Sequence, residues 1–314
     1  MDYLIFIVSL AALIYGAEII IHQSEKIALR FGISEYIIGA TLIAFGTSLP
    51  EMAASVSASL HNKAELSVSN IIGSNIINIT LVIGTVLLIS KKVRPHRDFF
   101  AKDSSWALFP VLIFIIITLD NEITRFSGIA LLFLMFGYIL FLLNHSEDTA
   151  DLGLDEDLEE IKKDFNIPKT ILLLGVGFIT VVYGADFTIN SASNIARSFH
   201  VSEWIIGVVL VAFGTSLPEL IVSIMAARKN KADMAIGNVI GSNMANISVA
   251  LGTAAIANPI HLDFTKYSFD IATLVAATLM LVFITANKMY SKPAGISLFI
   301  LLAIFAQHTA HQLS

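Results

Sequence analysis

One hexapeptide constrains how this chain can fold. Gly46-Thr47-Ser48-Leu49-Pro50-Glu51 recurs as Gly214-Thr215-Ser216-Leu217-Pro218-Glu219, at an offset of 168 residues. Each copy lies in the middle of a long apolar run. A central acidic residue costs roughly 2.5 kcal/mol or more to insert into a bilayer. A proline there breaks the helical hydrogen-bond ladder. A chain that accepts both penalties twice, at matching places, has a use for them.

The runs themselves define the class. The chain has 314 residues, 56% hydrophobic and 14% charged, whereas soluble domains carry about 25% charged residues. Apolar runs of spanning length recur from end to end, which predicts an integral membrane protein of about ten helices of ~20 residues. No soluble domain of useful size is left over. The absence of cysteine excludes disulfides and thiolate metal sites. The first run starts Met1-Asp2-Tyr3, without a basic start, and continues into Glu18 and Glu25. It reads as a retained first helix and not as a cleaved leader.

The expected fold is an all-α polytopic membrane protein. Helices are predicted at 3–29, 36–60, 66–90, 103–120 and 126–144, then at 168–197, 203–227, 234–258, 267–287 and 294–312. The two sets repeat each other. Tyr15-Gly16-Ala17-Glu18 returns as Tyr183-Gly184-Ala185-Asp186, and Asn70-Ile71-Ile72-Gly73-Ser74-Asn75 returns as Asn238-Val239-Ile240-Gly241-Ser242-Asn243. Between Phe31–Thr85 and Phe199–Thr253 there are 29 identities in 55 ungapped positions. Chance likeness of apolar helices would not keep polar residues in register. The chain therefore divides into a first half, 1–144, with its repeat at 39–85; a linker, 145–167; and a second half, 168–314, with its repeat at 207–253. Five helices per half is an odd number, so the second half enters the membrane from the opposite side. The expectation is ten transmembrane helices as two inverted five-helix repeats.

Basic residues orient the chain. With both termini outside, the inner loops carry 14 Lys and Arg residues and the outer loops 4. The opposite orientation inverts that bias. A plasma or inner membrane location with both termini on the outer face is expected. The linker holds nine acidic residues. It lacks the Asp-x-Asp-x-Asp-Gly spacing of a calcium loop and reads as a solvated inner connection.

The chemistry concentrates on one face. Ala44, Thr47, Ser48 and Glu51 are spaced i, i+3, i+4, i+7 and share one side of a helix, as do Ala212, Thr215, Ser216 and Glu219. Pro50 cannot donate to the carbonyl of Gly46, so carbonyls near Ala44 to Thr47 are expected to be freed. Such irregular backbone is tolerated at membrane depth only inside protein or along a cavity. On the following helices Ser74 and Asn78, and their counterparts Ser242 and Asn246, add hydroxyls and amides. Asn70 and Asn238 extend that face. Asn75, Asn243, Ser55 and Ser223 fit better as bonds between helices. Two halves thus supply two carboxylates and a set of neutral oxygens. All-oxygen ligation suits hard cations, calcium above all, and two carboxylates match one Ca²⁺ in charge. The motifs contain no His or Cys, which argues against zinc and copper. Nothing basic lies nearby at membrane depth to pair with Glu51 and Glu219. Two unpaired buried glutamates facing each other would drive one to protonate unless a cation holds them.

These residues resemble the cation/calcium exchanger superfamily, and within it the prokaryotic sodium/calcium exchangers. The matching motifs are the two copies of Gly-Thr-Ser-Leu-Pro-Glu, each followed by Gly-Ser-Asn-x-x-Asn, and the likeness covers the whole chain. The resemblance implies alternating-access antiport, with sodium entry driving calcium export, and four adjacent cation positions in a diamond. Carried across, Glu51 and Glu219 would be shared central ligands. Thr47 and Thr215 would contribute oxygen to the calcium position. Ala44, Ser48 and Ser74 would line an inner sodium position, and Ala212, Ser216 and Ser242 an outer one. Asn78 and Asn246 would border the middle. The first and sixth helices would slide across the bundle. Some relatives, potassium-dependent ones included, carry aspartate where this chain has Asn246. Asparagine in both halves lowers the case for K⁺ co-transport and leaves the central charge at −2. The Gly-Asn-x-x-Glu pattern usual in proton/calcium antiporters is absent. The alternative is H⁺- or K⁺-coupled antiport of calcium or another divalent cation on the same scaffold. The partners so implied are transported Ca²⁺ and Na⁺ and the lipid bilayer, with no cofactor, no nucleic acid and a monomer sufficient for function. A passive channel fits less well with paired broken helices around a small site. An intramembrane protease with paired carboxylates would need no flanking Ser, Thr and Asn oxygens, so no enzyme activity is expected.

Overall fold

The computed structural model describes residues 1–89, 98–144, 165–200 and 214–313. Helix α1 is Asp2–Phe31, and a bent pair follows, α2 (Glu35–Thr47) and α3 (Leu49–Leu60). Then come α4 (Leu66–Ile89), α5 (Phe99–Thr118) and α6 (Arg125–Asn144). In the second half lie α7 (Ile167–Ser198), α8 (Leu217–Arg228), α9 (Ala232–Ala257), α10 (Ser268–Ala286) and α11 (Lys292–Leu313). Among the described residues eight helices are long and apolar enough to cross a membrane, and the α2–α3 pair, bent by 49°, makes a ninth. The span predicted at 203–227 is described only from 214 onward, as α8; its earlier part and most of the acidic linker lie outside the described residues.

Local sequence sets the helix ends. Gly32 closes α1 at φ 64°, a left-handed value that costs glycine little, and its N–H returns to the Ala28 carbonyl. The Ser34 hydroxyl accepts from the Ile37 N–H at 3.3 Å and opens α2. Asn166 caps α7 through the Lys169 N–H at 3.0 Å.

The centre is α4 and α9. Each has 78% of its most apolar 18-residue stretch buried, whereas α5 and α6 have 22% and 28%. The outer helices turn Phe, Leu and Ile outward, Phe126, Phe133 and Phe136 on α6 for instance. Such apolar exposure along whole helices is what a lipid-facing ring looks like. Close approach of α9 to α2 depends on missing side chains. A Cβ at Gly241 would collide with the Ala40 carbonyl, and one at Gly237 would sit 2.5 Å from the Tyr36 carbonyl.

Helices α1 and α7, which carry the Tyr-Gly-Ala repeat, run antiparallel. Asp2 at the start of one accepts from Asn194 near the end of the other at 3.3 Å, and Phe31 meets Phe165 edge-on at 6.0 Å. Loops that the basic-residue count assigns to one side also meet one another. Lys231 bonds Glu25 and Glu35, each at 2.6 Å, at one end of the bundle. At the other end Asn258 donates to Asn62 at 3.0 Å. There β1 (Glu122–Ile123) also pairs antiparallel with β2 (Ile260–His261). This two-residue ladder departs from the all-helical expectation. It satisfies loop backbone beyond the helix ends, and Asn121 extends it by accepting from the Leu262 and Phe264 N–H groups, both at 2.9 Å.

The halves exchange their last helices. Gly128 on α6 packs 2.6 Å, measured from an added Cβ, from the Gly252 carbonyl on α9, and Gly295 on α11 sits 2.9 Å from the Gly84 carbonyl on α4. Helix α6 therefore rests on α9, and α11 on α4.

Candidate functional site

The two hexapeptides adopt the same backbone. Ser48 ends α2 at φ −85°, ψ 5°, and Ser216 precedes α8 at φ −88°, ψ 7°. In each copy the proline falls in the first turn of the next helix, where its missing N–H costs nothing. The glutamate follows within the same first turn, at the positive end of a helix dipole. Proline and glutamate thus act together. One ends the incoming helix and the other stands at the new helix start.

The break frees less backbone than expected. The Ala44 carbonyl accepts from the Ser48 N–H at 3.0 Å and lies 3.3 Å from the Thr47 hydroxyl. The bond from Ser48 is an ordinary i to i−4 helical bond, made before the chain turns at Ser48. A carbonyl has a second lone pair, so Ala44 can still offer oxygen to a cation.

Glu51 and Glu219 are both fully buried and come from opposite halves. Glu219 Oε1 accepts from the Ser48 hydroxyl at 2.9 Å, across the halves. The Thr47 hydroxyl, 3.4 Å from Asn238 Oδ1, is fully buried too. Ser74, Asn78, Ser216, Ser242, Asn246 and Ala44 are likewise buried. Thr215 is half-buried and so differs from its counterpart Thr47, and Ala212 lies outside the described residues.

The hydrogen-bond ledger of this cluster does not close. Among the described residues, buried Glu51 Oε1 and Oε2, Glu219 Oε2, Ser216 Oγ, Ser242 Oγ, Asn78 Oδ1 and Asn246 Oδ1 have no partner. Every one is an oxygen. An unsatisfied buried polar group costs about 1–3 kcal/mol, more when charged. Such a debt concentrated at one place fits a cation, which replaces all the missing donors at once. Among the described residues no group of three or more His, Cys, Asp and Glu comes together. A cation here would rest on two carboxylates and neutral oxygens.

Surrounding residues brace the cluster. Asn70 donates to Ser55 at 3.0 Å and to the Glu51 carbonyl at 3.3 Å, and Asn238 donates to Ser223 at 3.0 Å. Asn75 and Asn243 bond across the α4–α9 crossing. Those four Asn and two Ser residues are inter-helix bonds, as their positions in the sequence suggest for Asn75, Asn243, Ser55 and Ser223. Sequence reasoning missed three stretches of wider π-helix, Gly39–Ile43, Asn78–Ile83 and Asn246–Ala250. Two of them begin at the candidate ligands Asn78 and Asn246. Such bulges mark functional sites in many helices.

Comparison with known proteins bears on this geometry. The family model for sodium/calcium exchanger protein matches residues 1–144 and 169–309. The chain belongs to the sodium/calcium exchanger family. Among its relatives in that family, inner membrane protein YrbG of Escherichia coli is 34% identical, over 88% of this chain and 86% of its own. The sodium/calcium exchanger MaX1 of Methanosarcina acetivorans is 27% identical, over 97% of each. A solved structure of the sodium–calcium exchanger NCX_Mj, soaked with Na⁺ and Sr²⁺, superposes with a TM-score of 0.80 at 32% identity, covering 96% of both chains. This chain is therefore a multi-pass membrane protein of all-helical exchanger fold.

Proposed function

We propose that this exchanger-family chain is a secondary active antiporter that trades Na⁺ for Ca²⁺ across the membrane by alternating access. The observation that carries the reading is the set of unpartnered buried oxygens around Glu51 and Glu219, drawn from both halves. Both ions are substrates. The protein supplies ligands and no bond-making chemistry, so the reading is of a transporter and not an enzyme.

Ligand roles follow the two-fold character of the site. Glu51 and Glu219 are the central carboxylates. Thr47 and Thr215 flank them at the calcium position. Ala44, Ser48 and Ser74 line one sodium position, and Ala212, Ser216 and Ser242 the other, with Asn78 and Asn246 at the middle. The antiparallel α1 and α7, the 168-residue repeat and the matched helix breaks support ten spans arranged as two inverted repeats. The excess of Lys and Arg in alternate loops supports both termini on the outer face of a plasma or inner membrane, with 145–167 as the inner connection. A single chain carries the whole site, so a monomer suffices.

Flux of ⁴⁵Ca²⁺ into vesicles holding reconstituted protein, driven in turn by Na⁺, K⁺ and H⁺ gradients, tests the reading. Uptake that follows the outward Na⁺ gradient is the expected result. Uptake driven by a proton or K⁺ gradient alone would replace Na⁺ as the coupling ion on the same scaffold. Calcium leak without any counter-gradient would make the protein a channel.

A further inference from the structure

Four asparagines at the α4–α9 crossing form a closed hydrogen-bond circuit. The Asn75 amide nitrogen donates to the Asn243 main-chain carbonyl at 3.4 Å, and the Asn243 amide nitrogen donates to the Asn75 main-chain carbonyl at 3.2 Å. A carbonyl only accepts, so both side chains must turn nitrogen toward the backbone and oxygen away from it. Those two oxygens meet the next pair. Asn75 Oδ1 accepts from Asn246 Nδ2 at 3.2 Å, and Asn243 Oδ1 accepts from Asn78 Nδ2 at 3.1 Å. An oxygen in that position demands the NH₂ end of each amide. The ends left over are Asn78 Oδ1 and Asn246 Oδ1, both buried and without a partner among the described residues.

We propose that Asn75 and Asn243 are positioning residues that fix the amide orientation of Asn78 and Asn246, so that only oxygen is presented to the transported cation. The proposal rests on the cation-site reading above. An asparagine side chain has an acceptor end and a donor end of nearly the same shape. Released from the circuit, Asn78 or Asn246 can turn its NH₂ toward the site, where two partial positive hydrogens oppose a cation. The orientation is set by main-chain carbonyls, which cannot flip. The control also crosses the halves: Asn75 orients Asn246, and Asn243 orients Asn78. Partners of this kind, one shell removed from an ion, typically change metal affinity 10–100-fold when lost.

Equilibrium ⁴⁵Ca²⁺ binding to the purified full-length protein in nanodiscs tests this. N75L removes the amide at similar volume and is expected to weaken calcium binding about tenfold. Adding N246D should recover most of that loss, because a carboxylate presents oxygen from either end and needs no orienting partner. Because a third carboxylate strengthens calcium binding by itself, N246D alone is the reference. The positioning role predicts an about tenfold loss from N75L in the wild-type background and little loss in the N246D background. A residue that merely glued helices together costs the same in both. N243L with N78D repeats the experiment on the other arm. If either leucine variant fails to yield folded protein, N75A and N243A carry the same comparison. Wild-type-like binding in the single variants, or the same loss in the aspartate backgrounds, overturns the positioning role. Failure of the wild-type protein to bind calcium at all would instead refute the cation site.

Discussion

The Ser48 hydroxyl donates to the Glu219 carboxylate at 2.9 Å, and these two residues are 171 positions apart. The bond joins one hexapeptide to the other. Its counterpart is not made: among the described residues Ser216 Oγ and both oxygens of Glu51 have no partner. Glu219 is thus partly satisfied by protein, and Glu51 relies on whatever enters the site.

The two carboxylates should therefore be indispensable. Glu51→Gln and Glu219→Gln each remove one negative charge and are expected to abolish Na⁺-dependent ⁴⁵Ca²⁺ uptake. The proteins should still purify as monodisperse species, because glutamine keeps the shape and relieves a buried charge. Full uptake by Glu219→Gln would remove the site from this position.

Exchange should sense voltage. Three Na⁺ in a site of two carboxylates leave one positive charge, whereas one Ca²⁺ leaves none. Moving one charge through the membrane is worth about 2.3 kcal/mol per 100 mV. In vesicles clamped with a K⁺ gradient and valinomycin, uptake is expected to change steeply with potential. Indifference to potential would exclude three-for-one exchange.

Packing of α9 on α2 should tolerate no side chain at the crossing. Gly241→Ala places a methyl against the Ala40 backbone, which cannot rotate away. Overpacking of this kind costs about 1–3 kcal/mol. Thermal unfolding in detergent should show a clear drop for Gly241→Ala. Gly175→Ala, where an added Cβ meets nothing within 4 Å, is the control and should hold or gain stability. Equal melting of the two variants would contradict the close approach.

The clasp at the Lys231 end should depend on pH in the alkaline range. Partial burial works against the Lys231 ammonium, but hydrogen bonds to Glu25 and Glu35 outweigh it and raise its pKa. A raised lysine pKa contributes stability that is present below the unfolded value and lost as pH rises through the folded one. Alkaline titration followed by thermal melting should show that loss in the wild type. Lys231→Met should flatten the alkaline limb and lower stability at neutral pH, since it leaves Glu25 and Glu35 facing each other. An unchanged limb in Lys231→Met would assign the loss to other groups.

Much of this molecule is written in the order of its residues. Spacing at i, i+3, i+4 and i+7 singled out Thr47, Ser48 and Glu51. The break at Ser48 nevertheless puts Thr47 and Glu51 on two helices bent by 49° and not on one helix face. The apolar runs located the described helices within a few residues. Glu51 and Glu219 stood out because a bilayer makes charge expensive. The pairing of particular atoms was not legible. Periodicity groups Ser74 with Asn78 on one face; it cannot say that Asn75 and Asn78 each meet an asparagine from the other half. That depends on a crossing between α4 and α9 that is set by three-dimensional packing at Gly237 and Gly241. The short β1–β2 ladder was hidden for a related reason. Two residues carry no alternation, and their partner lies far along the chain. The π-helical turns left no mark because a single widened turn shifts registry without changing composition.

The exchange of fifth helices has a consequence for how the protein is made. Gly128 on α6 has its seat at Gly252, which is synthesised more than a hundred residues later. While the ribosome is still translating, the first half sits in the membrane with one wall open and α6 unmatched. It is completed only when α9 arrives, and α11 then closes the remaining wall at Gly84. Assembly is therefore a property of the finished polypeptide, and a truncated product ending in the acidic linker would be left for quality-control proteases to find.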